Sequence, residues 1–131
     1  MKSYLDLEIY QLAYNLAIEV HEMTLTLPKY ELYEQGSQVR RSSKSIKDTI
    51  AEGYGRKRYK SDFIKFLVYA HASSDETISQ LNMISDIHFS EKPLNEMISK
   101  YDKIGKKINK FIQYVENNWK WMIIKFMKWL P

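Results

Sequence analysis

The chain has no cysteine, which excludes disulfides, thiolate zinc sites and cysteine nucleophiles. It has only four glycines and three prolines in 131 residues, so few positions can punctuate it. Long helices joined by short turns are favoured over many short strands. No apolar run approaches the roughly 20 residues of a membrane-spanning helix. No apolar stretch of signal-peptide length follows Met1, and a cytoplasmic protein is the expectation.

Catalytic signatures are missing too. The Glu-x-x-His pattern of a di-iron bundle does not occur, and His21, His71 and His88 lie on separate parts of the chain. His71 and Asp75 share a helix face at i, i+4, which reads as a solvated or structural pair before a metal ligand set. Gly53-Tyr54-Gly55 follows a helical segment where a phosphate-binding loop would follow a strand. No serine sits in a nucleophile elbow. The expectation is a protein that is not an enzyme, with no catalytic residue, no metal, no cofactor and no small-molecule substrate.

What is present is helical periodicity. Leu5, Ile9, Leu12, Leu16, Val20, Met23 and Leu27 recur at spacings of three and four until Pro28. A second segment, Glu34 to Glu52, puts Val39, Ser43, Ile46 and Ile50 on one side. A third starts near Ser61 with Phe63, Leu67, Ala70, Ser74, Thr77, Leu81 and Ile84. A fourth begins by Pro93 and runs through Tyr101, Ile104, Ile108, Phe111 and Val115. Four such segments predict an all-α protein, an antiparallel up-down four-helix bundle over residues 1–118. Small residues on the second and third helices, among them Ser42, Ser43, Ser45, Ala70, Ser73 and Ser74, predict close packing of those two helices.

Residues 119–131 form a Trp- and Lys-rich amphipathic C-terminal tail holding all three tryptophans. Its apolar face predicts packing on the bundle or on a neighbouring subunit, with a membrane interface as the alternative. An unpaired face of that size favours self-association.

Charge is concentrated in one place. Gln38–Lys60 carries eight cations and two carboxylates, a net +6 that exceeds the +4 of the whole chain. On a helical wheel, Arg40, Lys44 and Lys47 form a cationic line. Arg41, Asp48 and Glu52 form a mixed line able to pair, and Glu52-Gly53-Tyr54-Gly55 reads as a helix end. Arg56, Lys57, Arg58 and Lys60 extend the cationic line through the following turn, with Tyr54 and Tyr59 interleaved. Cations with exposed aromatics suit backbone neutralisation and base stacking on single-stranded nucleic acid. A structural or adaptor oligomer, whose charged face makes protein or subunit contacts through Arg41, Asp48, Glu52 and Gly53, is the competing reading.

Asp6-Leu-Glu-Ile-Tyr-Gln-Leu-Ala13, Leu27-Pro-Lys-Tyr-Glu-Leu-Tyr33, Gln38-Val-Arg-Arg41, Ser45-Ile46, Ile50-Ala-Glu-Gly53, Arg56 and Phe63-Ile-Lys-Phe-Leu67 resemble the four-helix-bundle proteins encoded in intervening sequences of bacterial 23S rRNA genes. That resemblance implies a homopentameric up-down bundle, distantly similar to the nucleic-acid-binding accessory proteins of diversity-generating retroelements, and it favours RNA over DNA as ligand. Arg40, Arg41, Glu52, Gly53 and Arg56 match the family pattern. Lys47 and Thr49 depart from its usual proline and asparagine, which implies a straighter second helix.

Overall fold

The computed structural model describes residues 3–127, with side chains to residue 118. Four α-helices carry the fold: α1 (Glu8–Thr24), α2 (Gln35–Gly55), α3 (Lys60–His88) and α4 (Asn95–Met127). Short 3-10 turns at Tyr4–Asp6 and Lys29–Tyr33 precede α1 and α2. Helix α1 packs on α2 and α4, and α3 packs on the same two. Each helix thus has two neighbours around one core, the expected four-helix bundle.

The expected spacings supply that core. Ile9, Leu16 and Val20 of α1 meet Val39, Ile46 and Ile50 of α2, Phe63, Leu67, Leu81 and Ile84 of α3, and Tyr101, Ile104, Ile108 and Val115 of α4. Truncating a fully buried Leu or Phe in such a core typically costs about 2–5 kcal/mol. One expected member is displaced. Leu5 lies exposed in the first 3-10 turn, and Leu7, one residue before α1, takes the buried place.

Close packing of α2 on α3 is polar as well as tight. Thr77 donates to Ser42 at 2.9 Å, and Ser42 donates to the Gln80 side chain at 2.7 Å. The Ser45 and Ser73 hydroxyls meet at 3.0 Å. Small hydroxyls therefore serve two ends here, letting the backbones approach and linking the helices by hydrogen bonds.

Gly53 extends this seam. A Cβ built there would lie 2.9 Å from Phe66 Cβ and 3.4 Å from the Phe63 carbonyl oxygen. The glycine is required by helix contact, and α2 ends two residues further on, within the expected Glu52–Gly55 stretch. The helix continues through Gly55, and no residue in 3–127 has a positive φ.

A second polar knot closes the opposite end of α2. Glu31, in the 3-10 turn and 2% exposed, sits 2.6 Å from His88 Nε2 at the end of α3. Its same carboxylate oxygen accepts from Gln35 Nε2 at 2.7 Å. A buried carboxylate needs such partners, since removing one from a buried pair costs about 3–5 kcal/mol.

Helix α2 runs uninterrupted through Lys47, where proline would break the ladder. In α4 the backbone leaves helical geometry at Asn118, with φ −121° and ψ 18°. The expected amphipathic face of residues 119–131 lies outside the described side chains. No described helix is long and apolar enough to cross a membrane.

Candidate nucleic-acid interface

The cationic segment occupies α2 and the four-residue connection to α3. At the connection, Arg56 N–H donates to the Gly53 carbonyl, Lys57 N–H to Tyr54 and Tyr59 N–H to Arg56, which winds residues 56–59 into a tight turn. Tyr59 then takes extended backbone as the N-cap of α3.

The expected contact residues divide into three environments. Arg40 points inward, donating to Thr24 Oγ1 at 2.9 Å and to the Leu32 carbonyl at 2.6 Å. It ties α2 to the end of α1 and to the 3-10 turn, and its hydrogen-bonding edge is committed within the chain. This differs from the wheel reading because the wheel places neighbours on α2 alone, whereas Arg40's acceptors come from two other segments.

Lys44 and Lys47 lie together on the α1 side of α2. Lys44 Nζ is 3.5 Å from His21 Nδ1. Lys47 binds Asp48 at 2.6 Å, and that bond raises its pKa above the ordinary lysine value. Lys47 also lies 5.8 Å from the Tyr14 ring centroid. So Asp48 pairs with its neighbour Lys47, and the expected Arg41–Asp48–Glu52 line takes a different form. Among the described residues Arg41 reaches Ser37 Oγ alone, at 3.5 Å, while Glu52 faces Arg56 at 3.7 Å.

The third environment is the turn itself. Tyr54 is 5% exposed and packs edge-on against Phe63 at 6.4 Å between ring centroids, so it presents no open face for a base. Lys57 lies over the Tyr54 ring at 3.7 Å, and burial lowers its pKa. Arg56 stands between Glu52 and Asp62, at 3.7 and 3.9 Å, with its guanidinium 4.8 Å from the Phe66 ring centroid. Those half-exposed ion pairs are worth well under about 1 kcal/mol, so they orient Arg56 without consuming it. Arg58 lies 6.0 Å from the Tyr59 ring, which is 61% exposed. Arg58, Tyr59, Lys60, Ser61 and Ile64 line a shallow surface depression.

Three residues outside the expected set belong to this region. Phe66 lies under Arg56, Tyr69 meets Phe66 edge-on at 5.6 Å, and Lys65 is 5.9 Å from the Tyr69 ring. The signal available in the sequence was the Lys65–Tyr69 spacing of four and the Asp62–Phe66–Tyr69 progression on one helix flank.

The structure thus gathers Arg56, Lys57, Arg58, Tyr59 and Lys60 at one end of the bundle, with Lys65, Phe66 and Tyr69 beside them. Lys44 is twelve residues from Arg56 along α2, about 18 Å at 1.5 Å per residue. It belongs to a different part of the surface. Chemically, the turn offers fixed positive charge alternating with aromatic faces. Among the described residues no group of three histidines or carboxylates is placed to hold a metal ion.

A comparison with curated proteins finds no match. The profile of the 23S rRNA-intervening sequence protein family matches residues 5–110, which takes in α1, α2, α3 and the first half of α4. This four-helix chain, with its Arg40–Arg41 pair inside α2 and its Gly53 contact against α3, belongs to the 23S rRNA-intervening sequence protein family.

Proposed function

We propose that the protein is a non-enzymatic, self-associating cytoplasmic bundle that binds single-stranded nucleic acid at the α2–α3 turn, RNA in preference to DNA. The observation that supports it is the alternation of cations with aromatic rings from Arg56 to Tyr69, with Tyr59 exposed. Cations neutralise phosphates, and an exposed ring stacks on a base whatever its identity. The preference for RNA and a homopentameric assembly rest on the family resemblance.

The interface is narrower than the charge count suggests. Arg56, Arg58 and Lys65 are its exposed cations, half-buried Lys60 lines the depression beside them, Tyr59 and Tyr69 are its open rings, and Arg40 and Tyr54 are excluded by their intrachain roles. For four phosphates on a single strand, affinity falls about 50-fold between 50 and 200 mM salt, from a slope of about −0.7 per phosphate. Replacing Arg56, Arg58 and Lys60 together by Glu should remove at least a hundredfold of the affinity for a short single-stranded RNA in fluorescence anisotropy, with the helical circular dichroism kept. Unchanged affinity in that variant overturns the reading.

A second reading draws on Arg41. It is exposed and, among the described residues, held by a single long bond to Ser37, as suits a residue that meets a partner. In that reading the protein is a structural or adaptor oligomer whose charged face makes subunit or protein contacts.

A further inference from the structure

Two faces away from the turn carry exposed apolar stripes bordered by opposite charge. On α1, Tyr14 and Ile18 are exposed, with Leu25 just past the helix end, and His21 lies on the same stripe at helical spacing. The stripe borders α2 along an open groove of about 390 Å³ lined by Tyr14, Ile18, His21, Glu22, Lys44 and Lys47. From Gln35 to Lys47, α2 contributes Arg40, Arg41, Lys44 and Lys47 and no carboxylate. With Arg40 turned inward, Arg41 and Lys44 are the exposed cations of that span. The carboxylates near this face are Glu22, exposed, and Asp48, bonded to Lys47.

The outer face of α3 is the converse. Val68, Met83 and Ile87 are exposed there, with Ala72 and Ser79 between them on one stripe. Residues 66–91 contain Asp75, Glu76, Asp86 and Glu91 and no lysine or arginine. Asp75 lies 3.6 Å from His71 and Glu76 accepts from Gln80, both within α3, and both carboxylates face solvent.

We infer that the α1/α2 face of one copy of this chain docks on the α3 outer face of the next. Both halves of a complementary pair lie on the same chain, apolar stripe against apolar stripe and cation border against carboxylate border. Neither face suits contact with itself, since Arg41 and Lys44 would meet Arg41 and Lys44, and the α3 carboxylates would meet each other. The contact is therefore heterologous. Each copy retains one open face of each kind until a ring closes or a filament grows. This deepens the self-association in the proposed function and makes no use of the turn. It also assigns Lys44 and Lys47 to the subunit contact.

The test is the mass of the full chain by light scattering across a range of concentrations. The charge reversals Arg41→Glu with Lys44→Glu, and separately Asp75→Lys with Glu76→Lys, each weaken assembly at least tenfold. An equimolar mixture of the two variants reaches a higher mass than either alone, because the intact faces pair with each other and the reversed faces carry swapped, complementary charges. Ile18→Asn or Met83→Asn, which leave the charges in place, shifts mass in the same direction. Assembly of either charge variant at wild-type strength, or a mixture of folded variants that does not reassemble, overturns the inference. A wild-type chain that stays a monomer at every concentration instead defeats self-association itself, and with it this docking. RNA binding at the turn, followed separately, survives either result.

Discussion

Arg40 and Arg58 are the same residue type in the same charge-rich segment, yet they stand in opposite surroundings. Arg40 in mid-α2 has spent its guanidinium on a hydroxyl and a carbonyl of its own chain. Among the described residues, Arg58 in the turn has an adjacent tyrosine ring, 6.0 Å away, as its one neighbour of this kind. The difference arises from what surrounds each backbone position. Mid-α2 is flanked by α1 and a 3-10 turn whose free carbonyls need donors, while the turn is flanked by solvent. Positive charge density along a sequence therefore overstates a binding surface wherever neighbouring segments can claim the cations.

The largest test of this contrast is Arg40→Ala. Loss of two charge-assisted hydrogen bonds, with the Leu32 carbonyl left unpaired, should destabilise the protein by about 3 kcal/mol in urea titration. RNA affinity of the folded fraction should stay as in wild type. A loss of affinity without a loss of stability would put Arg40 in the interface and dissolve the contrast.

Gly53→Ala should come next, at about 2 kcal/mol. The new methyl meets the Cβ of Phe66 at 2.9 Å, where neither atom sits on a flexible end, so α2 and α3 must separate. The melting temperature should fall by about 8 °C in a calorimetric scan. Because Phe66 carries Arg56 on its ring, this substitution should also loosen the turn, joining the two regions that Arg40→Ala keeps apart.

The smallest effect separates Lys47 from Lys57. The bond to Asp48 raises the pKa of Lys47 above 10.5, while burial lowers that of Lys57 below 10.5. The signs oppose each other. Lys47 adds stability that is present below the unfolded pKa and lost as pH rises through its folded value. The penalty at Lys57 is present at neutral pH and is relieved as pH rises through its folded value toward 10.5. An alkaline NMR titration of the lysine ε-carbons should show Lys57 losing its proton before Lys47. The reverse order would mean that Lys57 is better solvated than its place over Tyr54 implies.

Helix number and the core faces were legible because apolar spacing carries them. Phe63, Leu67, Leu81, Ile104 and Ile108 are all buried where period 3.6 puts them. The close α2–α3 seam was legible as a run of small residues. The bonding of Arg40 was not, since its acceptors lie 16 and 8 residues away in segments with no periodic signal. The Glu31–His88 contact was hidden for the same reason, spanning 57 residues. The helix end was legible in Glu52-Gly53-Tyr54-Gly55, since α2 stops at Gly55, but the close approach of Gly53 to Phe66 was not, because only the neighbouring helix shows it. The burial of Tyr54 was hidden as well, because the ring that covers it, Phe63, belongs to the next helix.

The four-residue connection between α2 and α3, clamped by the Gly53–Phe66 contact, bears on the entropy of any encounter at the turn. Binding surfaces on long loops must freeze backbone motion when a ligand arrives, at about 1–2 kcal/mol per residue. Here the backbone is already fixed by two long helices, and under the proposed function a docking strand would have to still only the tips of a few side chains. A modest number of contacts can then yield usable affinity. Lengthening the turn would forfeit that advantage while leaving every cation in place.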